Sequence, residues 1–333
     1  MKIAIVVSRA SAIDTTWTTS HLACSLLAHG HKVRVIEPWD FEVVPGGQAI
    51  ARAHAFDEPS LTREHFCTML AHRSARRCYE QVSQFDAMLL RLNPLDLGAL
   101  SFALIAQQSG VCVLNEPSSL LRISHKAFLA TLSDVPRPDT LVTRSRAAVR
   151  SFADRHPHGV VVKPARASGG RGVQWVHHNH LTHLDVAIDE VRSHGDGYLV
   201  VQEYLPDARN GEKRILWVGG QLIGAYLRQR APGEFRHNLK QGGRPEPTEI
   251  SAEERDLVAA VSPHLHEQGV WIAGLDVIGN RLVEINTLNP GGFHLIEQHS
   301  DQDLGSRLVD SLVERIRVHQ PEAAIAIHTD HAS

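Results

Sequence analysis

Three oxygen-bearing side chains, Asp276, Glu284 and Asn286, interrupt two apolar, β-rich runs late in the chain, WIAGLDVI and RLVEIN. Two carboxylates and an amide are hard ligands of the kind Mg²⁺ takes, above all when a nucleotide's phosphates complete its shell. Gly279-Asn280 between the runs is hairpin-turn chemistry. Strand period places Glu284 and Asn286 on one face. Asp276 joins them only through a connection of odd length or a bulge, expected at Gly279 to Arg281, because a strict two-residue turn sets 276 opposite 283. The competing account is an ordinary hairpin with a buried amide and two surface acids, and this stretch alone leaves both standing.

Upstream, the strand GVVVKPA carries Lys163 and runs into the loop RASGGRGV, with Ser168, Gly169, Gly170 and Gly172. Glycines let backbone N–H groups approach phosphate oxygens unobstructed. Taken alone the loop is equally a plain hairpin connection. Lys163 before it and Arg166 and Arg171 within it favour phosphate. The strand LVVQEYL then ends in Gln202, Glu203, Tyr204 and Leu205, where a carboxylate and main-chain groups would suit adenine. Arg214, Arg228, Arg230, Arg236 and Lys240 follow in close succession. Several converging on one face would handle carboxylate and phosphate together, although each taken singly fits a solvated strand face.

The elements that must position these groups begin with KIAIVVS, a buried strand. The loop SRASAIDTTWTTS, the helical pattern HLACSLLAHGH and the strand HKVRVIEP follow it. This β-loop-α-β order opens a parallel sheet. Its loop lacks G-x-G-x-x-G, so no NAD site is assigned. FEVVPGGQAIARAHAFD reads as an irregular hairpin, 61–84 as a basic amphipathic helix, and DAMLLRLNP and VCVLNEP as strands around an apolar helix. Beyond them come a helix from SSLLRISHKAFLATL, a proline-punctuated connection VPRPDTLVT, and a helix in RAAVRSFADRH. SAEERDLVAAVSPHLHEQG carries a capping box, Ser251 with Glu254, and GSRLVDSLVERIRVH forms the closing helix.

At 333 residues, 43% hydrophobic and 21% charged, the chain is globular, with room for two or three packed units. A net charge of -3 excludes a general nucleic-acid field and points to small-molecule partners. No window is long and apolar enough for a membrane span, and MKIAIVVSRA reads as a strand rather than a signal peptide. Cys24, Cys67, Cys78 and Cys112 lack C-x-x-C spacing and read as free thiols of a reducing cytoplasm. His177, His178, His180 and His183 have no acidic or cysteine partner that completes a tetrahedral set nearby and read as a solvated cluster rather than a metal site.

The order of these parts is specific. Strand lysine, glycine loop, Q-E-Y-L, the E-K-R strand, N-L-x-x-G-G-R and D-V-I-G-x-R-L-x-E-I-N follow one another as in the ATP-grasp ligases. The chain most closely resembles the bacterial glutathione synthetases, from first strand to last helix and most strongly from Tyr204 to Asn286. The resemblance implies an α/β and α+β chain: a Rossmann-like, pre-ATP-grasp open sheet over 1–120, an ATP-grasp small subdomain over 121–202, a catalytic subdomain over 203–318 and a tail over 319–333. It implies ATP with Lys126 and Lys163 on its phosphates, Ser168, Gly169, Gly170 and Gly172 closing over them, Gln202 to Leu205 on adenine, and Glu212 near the ribose. It implies Mg²⁺, replaceable by Mn²⁺, on Asp276, Glu284 and Asn286, with Arg214 and Arg228 stabilising a tetrahedral oxyanion. Arg236, Asn238, Gly242 and Gly243, with Asn289, Gly291 and Gly292, would line the substrate side. The implied reaction joins γ-glutamylcysteine to glycine through an acyl phosphate, in a cytoplasmic homo-oligomer, dimer or tetramer.

Two stretches depart from that family. Thr287-Leu288-Asn289-Pro290-Gly291-Gly292 stands where a Thr-Ser-Pro-Thr type segment is usual, and Ala165-Arg166-Ala167-Ser168 replaces a Leu-Asp-Gly-Met type sequence. Both lie near the expected substrate, so a ligase joining another amino acid or small peptide is carried alongside. A nucleotide-binding regulatory protein without catalysis is the alternative of another class. Lys163, Arg214, Asp276, Glu284 and Asn286 standing together speak against it.

Overall fold

Every residue of Lys2–Val7 after the lysine is apolar and buried, as in a strand covered on both faces. The computed structural model describes residues 1–300 and 302–319. Its first sheet comprises β1 (Lys2–Val7), β2 (Lys32–Ile36), β3 (Phe41–Val43), β4 (Ala49–Phe56), β5 (Arg77–Gln81), β6 (Ala87–Arg91) and β7 (Cys112–Leu114). The order is β3-β4-β2-β1-β6-β7 with β5 on β4, and β2, β1, β6 and β7 run parallel. Strand alternation sends Ile3, Ile5 and Val7 into one core and Ala4 and Val6 into the other.

The second sheet holds β8 (Thr140–Thr143), β9 (Val160–Pro164), β10 (Gln174–Val176) and β11 (Leu199–Glu203), in the order β10-β9-β11-β8. The third holds β12 (Glu212–Val218), β13 (Gln221–Gln229), β14 (Arg244–Pro247), β15 (Ile272–Ile278) and β16 (Arg281–Asn286), in the order β14-β13-β12-β15-β16. On β12, Ile215 and Trp217 join one core of the first sheet, and Leu216 and Val218 the other. The first and third sheets therefore share both cores. The second sheet has a core of its own around Val160, Val162, Leu199 and Val201.

The helices are α1 (Thr18–Ala28), α2 (Arg63–Ala71), α3 (Leu97–Gln108), α4 (Pro117–Ile123), α5 (Ala127–Ala130), α6 (Arg146–Ala153), α7 (Leu184–Arg192), α8 (Ala252–Glu267), α9 (Phe293–Glu297) and α10 (Leu304–His319). At α8 the expected box forms: the Glu254 N–H donates to Ser251 Oγ at 3.2 Å, and the Ser251 N–H donates to Glu254 Oε2 at 2.8 Å. The first and third sheets are joined through Asn115, which is buried. Its Oδ1 accepts from the N–H groups of Trp271 and Ile272, and its Nδ2 donates to the carbonyls of Ile272 and Thr287.

Three expectations change. Residues 61–84 hold only α2 as α-helix, followed by β5 and a short 3₁₀ turn. The charges of β5 pair across the sheet, Arg77 with Asp40 and Glu80 with Lys2 and Arg34, and those contacts override local helical preference. The connection VPRPDTLVT contains β8, a four-residue strand without a pattern of its own. The single helix expected from residue 118 is α4 and α5, interrupted at Ser124 to Lys126. The tail expected over 319–333 lies, past His319, outside the described residues. Burial raises the thiols of Cys24 to about 12 and of Cys67 and Cys112 to about 11, so these free cysteines stay protonated.

Candidate active site

Strand register assembles a single charged face on the third sheet. Glu212 lies opposite Arg228, Arg214 opposite Asp276, and Asp276 opposite Glu284. Period two then adds Gly274 and Asn286, themselves a register pair, to the same face. The hairpin turns at Gly279-Asn280 with two residues, and a bulge restores the phase: Val277 pairs Leu282 while Asp276 pairs Glu284, leaving Val283 extra. The bulge needed for Asp276 thus exists, but at Val283 rather than at 279–281. The displaced Val283 carbonyl accepts from Lys163 Nζ at 3.2 Å.

Asp276, 3% exposed, is the centre of that face. Arg214 grips it through two bonds, Nε to Oδ1 at 2.5 Å and Nη2 to Oδ2 at 2.9 Å. Arg228 Nη2 lies 2.5 Å from Oδ1 and also contacts Glu212, and Asn286 Nδ2 donates to Oδ2 at 3.1 Å. Burial alone would raise the Asp276 carboxyl, yet the two guanidiniums hold it well below the usual range. Glu212 goes the other way, pushed up to about 7 by burial, against the pull of Arg228. Gly274 makes room for the Arg214 fork, since a Cβ there would sit 3.0 Å from Arg214 Nη1.

Lys163 is buried, which lowers its amine, and Glu284 partly offsets this. Lys126 lies 3.4 Å from Glu284 and donates to the Ala167 carbonyl at 2.5 Å. The glycine loop is tied to the segment 235–241. Gln241 donates to the Gly169 carbonyl at 3.2 Å, and Arg236 to that of Gly170 at 3.1 Å. Gly170 has φ +73°, and a Cβ on it would fall 2.4 Å from Asn238 Oδ1.

These groups wall a cavity of about 1140 Å³. Of the residues singled out in sequence, Lys126, Lys163, Ser168, Gly169, Gly170, Gln202, Glu203, Tyr204, Leu205 and Glu212 line it. So do Arg214, Arg228, Arg236, Asn238, Asp276, Glu284, Asn286, Asn289, Gly291 and Gly292. Gly172, Gly242 and Gly243 do not. Gly172 packs against Pro164 and His194, and Gly242 and Gly243 close the short turn after Asn238. At the strand end, the N–H groups of Glu203 and Tyr204 already donate to the carbonyls of Asp139 and Gly159. Glu203 Oε1 accepts from the Asp139 N–H at 3.0 Å, and the Tyr204 ring stacks on Trp175 at 4.5 Å.

Among the described residues no three His, Cys, Asp or Glu side chains cluster as a metal site. The oxygen-bearing groups that could hold a divalent cation are two carboxylates and an amide, Asp276, Glu284 and Asn286, on one face at the cavity, with both Asp276 oxygens engaged by Arg214, Arg228 and Asn286. Sequence reasoning missed the opposite wall, where Thr18, Thr19, Arg91, Asn93 and His294 stand. The signal for it was the parallel β-α-β opening itself, because open sheets bind ligands beyond the carboxyl ends of their strands.

An open mixed sheet with a parallel centre, followed by two smaller antiparallel sheets, is the ATP-grasp architecture. D-cycloserine synthetase DcsG superposes with a TM-score of 0.66 at 16% identity, over 94% of this chain and 99% of its own. The D-alanine-D-alanine ligase from Coxiella burnetii does so at 0.64 and 15% identity, over 98% and 97%. The models of the prokaryotic glutathione synthetase N-terminal domain and ATP-grasp domain match residues 1–121 and 125–301, and the chain belongs to that family. The glutathione synthetase of Vibrio cholerae serotype O1 is 36% identical over 242 residues, 71% of this chain and 75% of that protein. The chain is thus an ATP-dependent, ADP-forming ligase that makes amide bonds between small molecules and uses a divalent metal. Among the described residues no helix is long and apolar enough to cross a membrane.

Proposed function

We propose that the chain joins γ-glutamylcysteine to glycine, with ATP and Mg²⁺, giving glutathione, ADP and phosphate. The observation that carries this reading is the continuous charged face of Glu212, Arg214, Arg228, Asp276, Glu284 and Asn286, with Lys126 and Lys163 beside it at one cavity. Lys126 and Lys163 bind the ATP phosphates under the loop 168–172, and the segment 202–205 binds the base. Glu284, Asn286 and Asp276 would hold the cation, Mg²⁺ or Mn²⁺ in its place, which would supply neutralisation of the phosphate charge. A phosphate in the cavity would compete with Asp276 for Arg214 and Arg228, and a guanidinium drawn onto it would leave an Asp276 oxygen able to hold the cation. The donor carboxylate takes the γ-phosphoryl group, ADP leaves, and the amine nitrogen attacks the acyl phosphate. Arg214 and Arg228 then hold the tetrahedral oxyanion until phosphate departs.

In this reading 1–120 is the pre-ATP-grasp domain, 121–202 the small subdomain and 203–318 the catalytic subdomain. The protein works in the cytoplasm as a dimer or tetramer, with α3, where Leu97 and Ile105 are exposed, as the contact. Asn289, Gly291 and Gly292 lie at the cavity in a segment unlike the family's usual one, which favours as second reading a different amino acid or small peptide substrate. A matrix of amino-acid and dipeptide donors and acceptors, read by mass spectrometry with ADP release, tests both. Glutathione from γ-glutamylcysteine and glycine at the fastest rate supports the first reading, and a faster pair replaces it with the second. No stimulated ADP release from any pair would sink both in favour of a non-catalytic nucleotide binder.

A further inference from the structure

A row of side chains crosses the third sheet on its cavity face. Tyr226 on β13 lies opposite Arg214 on β12, Arg214 opposite Asp276 on β15, and Asp276 opposite Glu284 on β16. Arg228 stands two residues along β13 from Tyr226, on the same face. Tyr226 is the uncharged end of this row. It is 4% exposed and packs in one core of the first and third sheets with Ile223, Phe293 and Ile296, yet it lines the cavity. Gly292 admits its ring: φ there is +122°, and a Cβ would fall 2.4 Å from Tyr226 Cε1 and 3.3 Å from Oη. That glycine belongs to the segment 287–292, which departs from the family pattern.

Packing alone asks only for an apolar ring at this position, whereas a buried tyrosine normally finds a partner for its O–H. Among the described residues no hydrogen bond engages the Tyr226 hydroxyl, and the atom is not sealed in the core. Its open side is therefore the cavity. The phenol is close enough to both guanidiniums of the face to act on their charge. Those arginines are committed to Asp276, which takes two bonds from Arg214 and a contact from Arg228. The hydroxyl beside them is a donor that can turn to a new oxygen without breaking an ion pair.

We propose that the Tyr226 hydroxyl donates a hydrogen bond to the oxyanion that forms when the amine adds to the acyl phosphate. The inference rests on the ligase reading above. In that step the amine lone pair makes the C–N bond, and the carbonyl π pair moves onto oxygen. The Tyr226 proton stays on the phenol and bridges to that oxygen, beside the charges of Arg214 and Arg228. When the C–O bond to phosphate breaks, the pair returns to the carbonyl and phosphate departs with one amine proton. The ground-state carbonyl is a weaker acceptor than the oxyanion, so the bond strengthens as charge develops. The ring, packed with Phe293 and Ile296, holds the donor in place beforehand.

The test compares wild type with Tyr226→Phe, which removes the hydroxyl and keeps the ring, so the urea midpoint should not move. Rapid-quench single turnovers with γ-glutamylcysteine, glycine and ATP read ADP formation and amide formation separately. ADP formation should keep its rate. Amide formation should slow on the order of 10- to 100-fold, the scale of one hydrogen bond to a charged oxygen, with the KM values for ATP and glycine unchanged. A phosphinate that puts a tetrahedral P–O⁻ in place of the attacked carbonyl should bind the variant more weakly by the same factor. An unchanged amide-forming rate, an ADP-forming step slowed as much, or full affinity for the phosphinate overturns the inference while leaving the ligase reading intact. A wild type that releases no ADP with γ-glutamylcysteine and glycine overturns the substrate reading instead, and the same comparison then runs on the fastest pair.

Discussion

Asp276→Asn and Glu284→Gln separate the structural from the chemical role of the carboxylates on the third sheet. The Asp276 side chain, 4% exposed, lies between Arg214 and Arg228, themselves 10% and 5% exposed. Removing its charge while keeping its shape leaves two buried guanidiniums with only Glu212 to share, a loss of about 3–5 kcal/mol of folding stability. Glu284 is 25% exposed, and its partner Lys126 lies 3.4 Å away at the cavity edge. Neutralising it should change stability by no more than about 1 kcal/mol. Both changes remove an oxygen from the cation set, so each should lower ADP release on the order of 100-fold or more. Urea denaturation gives the stabilities, and a coupled ADP assay across a Mg²⁺ titration gives the rates. Glu284→Gln is the cleaner probe, since its fold should survive. Full turnover by that variant at every Mg²⁺ concentration would refute the metal assignment. Asp276→Asn as stable as wild type would refute the charge balance drawn for the face.

Arg214→Lys should reduce kcat on the order of 100-fold while ATP affinity changes far less, because the fork that grips a carboxylate or an oxyanion is lost and the charge is kept; a defect confined to ATP binding contradicts that role. Gly170→Val places a Cβ against Asn238 at a backbone φ of +73° and should raise the KM for ATP, and an unchanged KM returns the loop to a plain connection. In the ligand-free protein Glu212 is raised from its ordinary 4.5 to about 7, so the folded chain keeps a proton there that the unfolded chain has released. Its contribution to stability therefore falls as pH rises from about 4.5 to about 7, by up to ~1.4 kcal/mol per pH unit, and Glu212→Gln should flatten that slope in urea melts. Asp276, depressed below its ordinary 3.8, contributes stability above that value that is lost as pH falls further, and Asp276→Asn should remove that acid limb.

Much of the candidate site was legible because it lies on strands. Period two fixes which side chains share a face, so Glu284 with Asn286 could be placed before any coordinates. The glycine loop was legible for the same local reason, as backbone that must approach other groups closely. Where pattern failed, a partner from elsewhere decided. β5 is a strand because Asp40, Lys2 and Arg34 receive its charges, and β8 because β11 pairs with all four of its residues. Gly242 and Gly243 sit in a motif at the right place in the order, yet they serve the turn after Asn238 rather than the cavity wall.

The amino-acid sequence by itself pointed to the chemistry: hard oxygen ligands, a strand lysine, a glycine loop and clustered arginines, in an order that one family uses. Tertiary structure decided three things that no local pattern encodes. It set the phase of Asp276 through a bulge at Val283, whose displaced carbonyl receives Lys163 from another sheet. It made Asp276 the counter-ion of two arginines, so a residue read as a metal ligand also holds the charged face together. And it brought Arg91, an unremarked residue at the end of an N-terminal strand, to the far wall of the same cavity with one edge of its fork open. Strand period reaches only along a strand and its neighbours, whereas the partners of Lys163, Asp276 and Arg91 are set by how the sheets pack.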